Sequence, residues 1–313
     1  MSTTNTNYIV NNSSLNTQTD LINIFQINPL GYGTNVLPPP YTITGSGGAT
    51  VQYNSGWYVL KFNTGSSSIS IDSSITTIYA LVVGGGGSGG GGIGASTYSS
   101  SGGNGGSVIH VSFTNPGANV GVSVGSGGAA AAFGNNGSPG NNSQLTISTS
   151  TIVAPGGQGG VNGNYWPSGQ SACTVSSGIT VYYQTPENTI TGGNSAVQQI
   201  PDRISAGNNG YGAFIPTNSI NLSYFGGGGG GCGSYIGSTF GTNNPGNGGL
   251  GGGGNGGYNY GESPSFPFVS VGNGINGTGG GGGGGAEAYV PSSSVGGGSG
   301  GDGVVIIYFQ YPI

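Results

Sequence analysis

ITTIYALVVGGGGSGGGG, residues 75–92, joins the two kinds of segment from which the rest of the chain is built. Its first nine residues are rich in β-branched and aromatic side chains, which suit a pleated, buried strand. They run without a turn residue into a nearly pure glycine tract. Such a tract offers no side chain to bury, and glycine loses more conformational freedom on folding than any other residue. Two readings follow. The tract is a flexible loop, or it is polyglycine II, an extended helix of three residues per turn with no internal hydrogen bonds. In the second case every N–H and C=O points outward and has to be paired by a neighbouring tract.

Outward from this stretch the same alternation repeats. YTIT (41–44), WYVLKF (57–62), SISI (68–71), SVIHVSF (107–113), NVGVSV (119–124), QLTIS and TIVAP (within 144–155), ITVYY (179–183) and GVVIIYF (303–309) all read as strands. In SVIHVSF, Ile109, Val111 and Phe113 share one face, and Val108, His110 and Ser112 the other. Thr114-Asn115-Pro116-Gly117 has the composition of a hairpin turn leading into NVGVSV. No segment shows a helical period, so the class is all-β. Glycine tracts lie between the strands at 84–94, 102–106, 125–128, 156–160, 226–233, 246–257, 279–285 and 296–303. Linkers are usually mixed with Ser and Pro. Recurrent, nearly pure runs joined directly to strands favour an ordered bundle, in which an eight-residue tract would span roughly 25 Å.

Two regions are distinguished. Residues 1–40 are polar and Asn-rich, carry the apolar stretch Leu21, Ile22, Asn23, Ile24, Phe25, and close on Pro38-Pro39-Pro40. They read as an extended arm suited to assembly. Residues 41–313 form the glycine-rich β region. The opening MSTTNTNYIVNNSS has neither a basic nor an apolar signal region, so no secretory signal is expected. The longest apolar runs are too short to span a bilayer as helices.

Composition narrows the function. Of 313 residues, 75 are Gly and only 3% are charged, with Lys61 and Arg203 as the basic residues, so neither nucleic-acid binding nor a polybasic membrane patch is expected. The 10% aromatic content separates the chain from disordered polar sequences. Cys173 and Cys232 permit one disulfide or two free thiols.

Chemistry is hard to assemble from these residues. GxGxxG matches recur in the tracts, but none opens a helix. GxSxG occurs around Ser88 and Ser299, yet a nucleophile elbow needs a strand-to-helix turn and a partnered histidine, and His110 is the only histidine. The seven acids are scattered. No catalytic, metal or cofactor site is expected, and Lys61 is expected in solvent. The 18 tyrosines are the surplus. Tyr165, Trp166, Tyr182, Tyr183, Tyr211, Tyr235, Tyr258 and Tyr260 lie in or beside connecting segments. Aromatic rings with a polar tip suit interfaces and glycan contacts, or serve to shield the ends of a glycine bundle.

The succession IYALVVGGGGSGGGG (78–92), GGNGGSVIHVSF (102–113), NVGVSVGSGG (119–128), TIVAPGGQGG (151–160) and GSGGDGVVIIYF (298–309) resembles the glycine-rich domain of phage tail proteins and giant DNA virus proteins. The opening YIVNNSSLNTQTDLINIF (8–25) resembles the short preface of giant-virus members, with an insertion before Asp20. FGGGGGGCGSYIGS (225–238) is similar in architecture to the glycine-rich region of the anaplastic lymphoma kinase receptor. The resemblance implies a jelly-roll-like β-sandwich with an inserted polyglycine II bundle. It also implies a virion structural protein that self-associates into a layer, fibre or tube, assembled in the host cytoplasm and exposed on the mature particle. Its partners would be copies of itself and other virion proteins. The alternative it implies is a fibre-tip adhesin for a host receptor or surface glycan.

Overall fold

The computed structural model describes residues 39–54, 56–92, 100–117, 119–162, 171–185, 209, 211–213, 223–231, 245–257, 270–285 and 296–311. The described strands are β1 (Tyr41–Gly45), β2 (Ala49–Asn54), β3 (Trp57–Phe62), β4 (Ser66–Ile71), β5 (Thr77–Val83), β6 (Val108–Thr114), β7 (Val120–Ser123), β8 (Ser143–Ile147), β9 (Ser150–Ala154), β10 (Thr174–Val175), β11 (Thr180–Gln184), β12 (Tyr211–Ala213), β13 (Ser223–Phe225) and β14 (Val304–Gln310). Two antiparallel six-stranded sheets result, one ordered β11-β6-β5-β14-β3-β2 and the other β1-β4-β7-β8-β9-β10, with β12 and β13 as a separate pair. This is the all-β class expected from the strand pattern, in an arrangement consistent with the β-sandwich that the resemblance implies. Residues 1–38 of the proposed arm, including Leu21, Ile22, Ile24 and Phe25, lie outside the described residues.

The sequence pattern of each strand matches its place. In β4 and β8 the inward residues Ile69, Ile71, Leu145 and Ile147 are buried and alternate with more exposed polar residues, so the sheet that holds them has one wet face. The unbroken apolar runs of β5 and β14 lie in the middle of the other sheet and are buried on both faces. One face packs into the sandwich interior with Leu60, Ile78, Ala80, Val82, Ile109, Val111, Val305, Ile307 and Phe309. The other carries a second cluster of Val59, Leu81, Val83, Val108, Val304, Ile306 and Tyr308, closed by Phe225 from β13. Each fully buried aliphatic side chain contributes about 1.5–3 kcal/mol relative to exposure.

The connection at Asn115-Pro116-Gly117 corrects the hairpin expectation. β6 and β7 belong to different sheets, and β7 pairs with β4 and β8. The turn is a corner between sheets. The Asn115 side-chain amide donates to the carbonyls of Asp72 and Ile75 at 2.9 Å, and its backbone N–H donates to Thr76 O at 2.9 Å. This fastens the β6–β7 corner to the β4–β5 corner, which switches sheets in the opposite sense. Gly117, with φ of 63°, completes the turn in a conformation that costs a residue with a Cβ about 1–2 kcal/mol. Lys61 is also corrected: it is half-buried on β3, and the loss of water around it lowers its pKa.

The glycine tracts continue from the strand ends and pair with one another through backbone groups. From Gly84 onward the partners repeat every third residue. Gly84, Gly87 and Gly90 donate to the carbonyls of Ser107, Asn104 and Ser101. Gly85, Ser88 and Gly91 donate to those of Asn141, Ser138 and Asn135, and Gly86 and Gly89 to those of Gly301 and Gly298. In the reverse direction, the carbonyls of Gly85 and Ser88 accept from Gly157 and Gly160, those of Gly87 and Gly90 from Gly282 and Gly285, and that of Gly86 from Gly128. One tract is therefore surrounded by six segments, three accepting its N–H groups and three donating to its carbonyls. The segment 279–285 is held in the same way, its N–H and C=O groups shared among segments near Gly87, Gly103, Gly227, Gly254, Gly272 and Gly298.

Candidate functional site

The glycine network presents backbone to backbone, and its side chains carry little chemistry. A Cβ placed on Gly84, Gly86, Gly87, Gly89, Gly103, Gly281 or Gly282 would overlap a main-chain carbonyl oxygen of the adjoining segment. The few side chains inside it serve the network: Ser88 Oγ accepts from Ser138 N at 2.8 Å, and Ser100 Oγ donates to Gly91 O at 2.6 Å. Ser88 is buried among these segments, which is the setting of a structural hydroxyl rather than an exposed nucleophile.

Side-chain diversity is concentrated on the outer face of the sheet containing β5 and β14, toward the strand ends remote from the glycine network. β5 enters the network at Gly84, and Tyr79 lies five residues earlier, about 16 Å along a strand. Cross-strand pairing places Tyr308 of β14 opposite Tyr79 of β5, and Gln310 opposite Trp57 of β3. The rings form a row. Tyr79 stacks on Tyr308 at 5.2 Å between centroids, and Trp57 lies tilted at 5.8 Å from Tyr79 and 5.9 Å from Tyr308. Beyond the intervening β6, Tyr182 of β11 stacks on Tyr79 at 6.2 Å, and its hydroxyl lies 2.9 Å from Ser112 Oγ.

His110 stands behind this row. Its Nε2 lies 2.6 Å from the Tyr308 hydroxyl, and its ring is 5.5 Å from that of Tyr182. Burial lowers its pKa below the ordinary value, so the neutral ring is favoured. Tyr308 is nearly fully buried and forms a fixed floor, whereas Tyr182 is exposed. A groove opens beside this floor, lined by Trp57, Ser74, Thr76, Thr77, Tyr79 and Gln310. None of these lining residues is charged.

The sequence-predicted residues are distributed as follows. Tyr182 and Tyr183 sit on β11, the edge strand paired with β6, and Tyr182 joins the aromatic row. A register shift between Val181 and Tyr183 accompanies the placement of Tyr182 over Ser112. Tyr211 is on β12. Tyr165, Trp166, Tyr235, Tyr258 and Tyr260 lie outside the described residues, as does Cys232. Cys173 is a buried free thiol whose Sγ donates to Val108 O at 3.7 Å, and burial raises its pKa to about 11.

Trp57, Tyr79, Tyr308 and Gln310 were missed because they belong to strands, while the sequence reading placed interest in the connections. A signal did exist. Period-two alternation puts Trp57 with Val59 and Tyr79 with Leu81, each on one face of its strand. Which strands stand side by side is a pairing that no local pattern contains.

Among the described residues no three of His, Cys, Asp and Glu come together as a metal-ligand group. No described helix is long and apolar enough to cross a membrane. The family model for a glycine-rich domain matches residues 62–310. A search of curated proteins found no match.

Proposed function

The chain belongs to the glycine-rich domain family, and from that premise we propose that it is a non-enzymatic structural protein of a virus particle, self-associating into a surface layer, fibre or tube. The observation that carries this reading is the threefold repeat of partners around Gly84 to Gly92. We read the tracts as a polyglycine II bundle inserted at one end of a jelly-roll-like sandwich. The three-residue period and the six-segment surround support it, since an extended helix of three residues per turn directs its polar groups outward in three directions. Such a bundle is a rigid block made from backbone, with most of its hydrogen bonds internal and little charge. At 3% charged residues the chain lacks the like-charge repulsion that keeps many proteins apart, which favours dense packing of identical copies.

Electron microscopy of the purified chain over a range of concentrations tests assembly. Regular filaments, tubes or sheets are expected, and discrete monomers at every concentration would overturn the reading. The second reading, a fibre-tip adhesin, is favoured by a separate observation: Tyr182, Tyr79, Tyr308 and Trp57 gather on one face, remote from the glycine network.

A further inference from the structure

The groove beside Trp57 combines aromatic surface with unused polar groups, and we propose that it binds a neutral pyranose unit of a glycan. This deepens the adhesin reading by giving it a site and a ligand class, and it is independent of whether the chain assembles. The indole of Trp57 is inclined by 57° to Tyr79 and 51° to Tyr308, so neither neighbour lies flat against it. Tyr79, in contrast, is stacked between Tyr308 and Tyr182. Trp57 therefore supplies the ring face on which the C–H face of a sugar can rest, and Tyr79 supplies a wall with a hydroxyl.

Polar capacity lies around that ring. The Trp57 Nε1–H, the hydroxyls of Tyr79, Thr76 and Thr77, and the Gln310 amide make no side-chain hydrogen bond among the described residues. They provide donors and acceptors together, as vicinal sugar hydroxyls require. No described lining residue is charged, so an anionic or cationic ligand would find no counter-charge. The Tyr79 wall is preorganised, because its ring stacks on Tyr308, which is buried and held to His110.

A peptide fits less well. The groove lies over β3, β14 and β5, which are interior strands of the sheet, so it offers no free strand edge for an added strand to extend.

Isothermal titration calorimetry with cellohexaose, chitohexaose, mannohexaose and a galactohexaose, and with a hexauronate as charged control, tests the proposal. At least one neutral oligosaccharide is expected to bind saturably, and the hexauronate is not. Trp57→Ala is expected to abolish binding, and Gln310→Ala and Thr77→Ala, at exposed positions, to weaken it roughly tenfold each. In a Trp166→Phe background, the remaining Trp57 fluorescence is expected to change with the same saturation curve. No saturable heat with any neutral oligosaccharide up to about 10 mM, or unaltered binding in Gln310→Ala and Thr77→Ala, would overturn the proposal. So would groove variants that abolish assembly in electron micrographs while leaving oligosaccharide binding intact, since the groove would then be a contact between copies. Glycan binding without any assembly would leave this inference standing and remove the structural-layer reading.

Discussion

At the residue scale, two glycines in the same chain are expected to answer alanine oppositely. A Cβ on Gly86 would overlap the carbonyl oxygen of Gly280, and both partners are main-chain atoms held by further hydrogen bonds. Gly86→Ala is expected to destabilise by about 1–3 kcal/mol or more, because the surrounding segments cannot part without losing their pairs. Gly48 has open space around its Cβ position and no positive φ. Gly48→Ala is expected to be neutral or to stabilise by up to about 1 kcal/mol through the unfolded chain. Denaturant unfolding of the two variants checks the contrast, and equal effects would contradict it. His110 gives a pH dependence. Its folded pKa is below the ordinary 6.5, so the unfolded chain binds the proton more readily. The stability from the neutral ring is complete above that value and is lost as pH falls through it toward the folded pKa. The thermal midpoint is expected to drop between about pH 7.5 and pH 5, and to drop less in His110→Gln. Asp72, also depressed from an ordinary 3.8 by hydrogen bonds from Ser74, acts in a lower pH window and leaves this comparison clean.

At the element scale, the glycine tracts behave as paired elements although they are neither ladders of a sheet nor α-helices. Each donates and accepts in steps of three: Gly103 and Gly106 donate to Gly282 and Gly279, Gly281 and Gly284 to Gly227 and Gly230, and Gly300 and Gly303 to Gly128 and Gly125. Amide hydrogen exchange separates this arrangement from loops. The N–H groups of Gly87, Gly103, Gly282 and Gly300 are expected to exchange as slowly as those of β5 and β14, whereas exchange at the rate of an unstructured glycine would refute the bundle. The corners are also elements with a defined cause. Asn115-Pro116-Gly117 has turn chemistry that suits a hairpin or a sheet-switching corner equally well, and the bonds of Asn115 to Asp72 and Ile75, forty or more residues away, accompany the second outcome.

At the scale of the whole molecule, the two sheets and the glycine network are one continuous construction, since β5, β6, β7, β8, β9, β13 and β14 all run directly into paired tracts. This leaves the opposite strand ends of one sheet free to carry the aromatic row. Local sequence by itself carries the all-β class, the position of most strands, the place of the nearly pure glycine tracts and the shortage of charged chemistry, but not the paired segments 135–141 and 272–275, whose glycines are interspersed with other residues. What it carries is written in local composition or in the period of side-chain alternation, which reports burial directly. The sequence reading did not yield the division of β6 and β7 between sheets, the half-buried state of Lys61, the strands β2, β10, β12 and β13, or the meeting of Trp57, Tyr79, Tyr308 and Tyr182. Those follow from which strand lies beside which, and in what register. Pairing is decided by long-range hydrogen bonds and packing between residues as far apart as His110 and Tyr308, so only the tertiary structure could settle it.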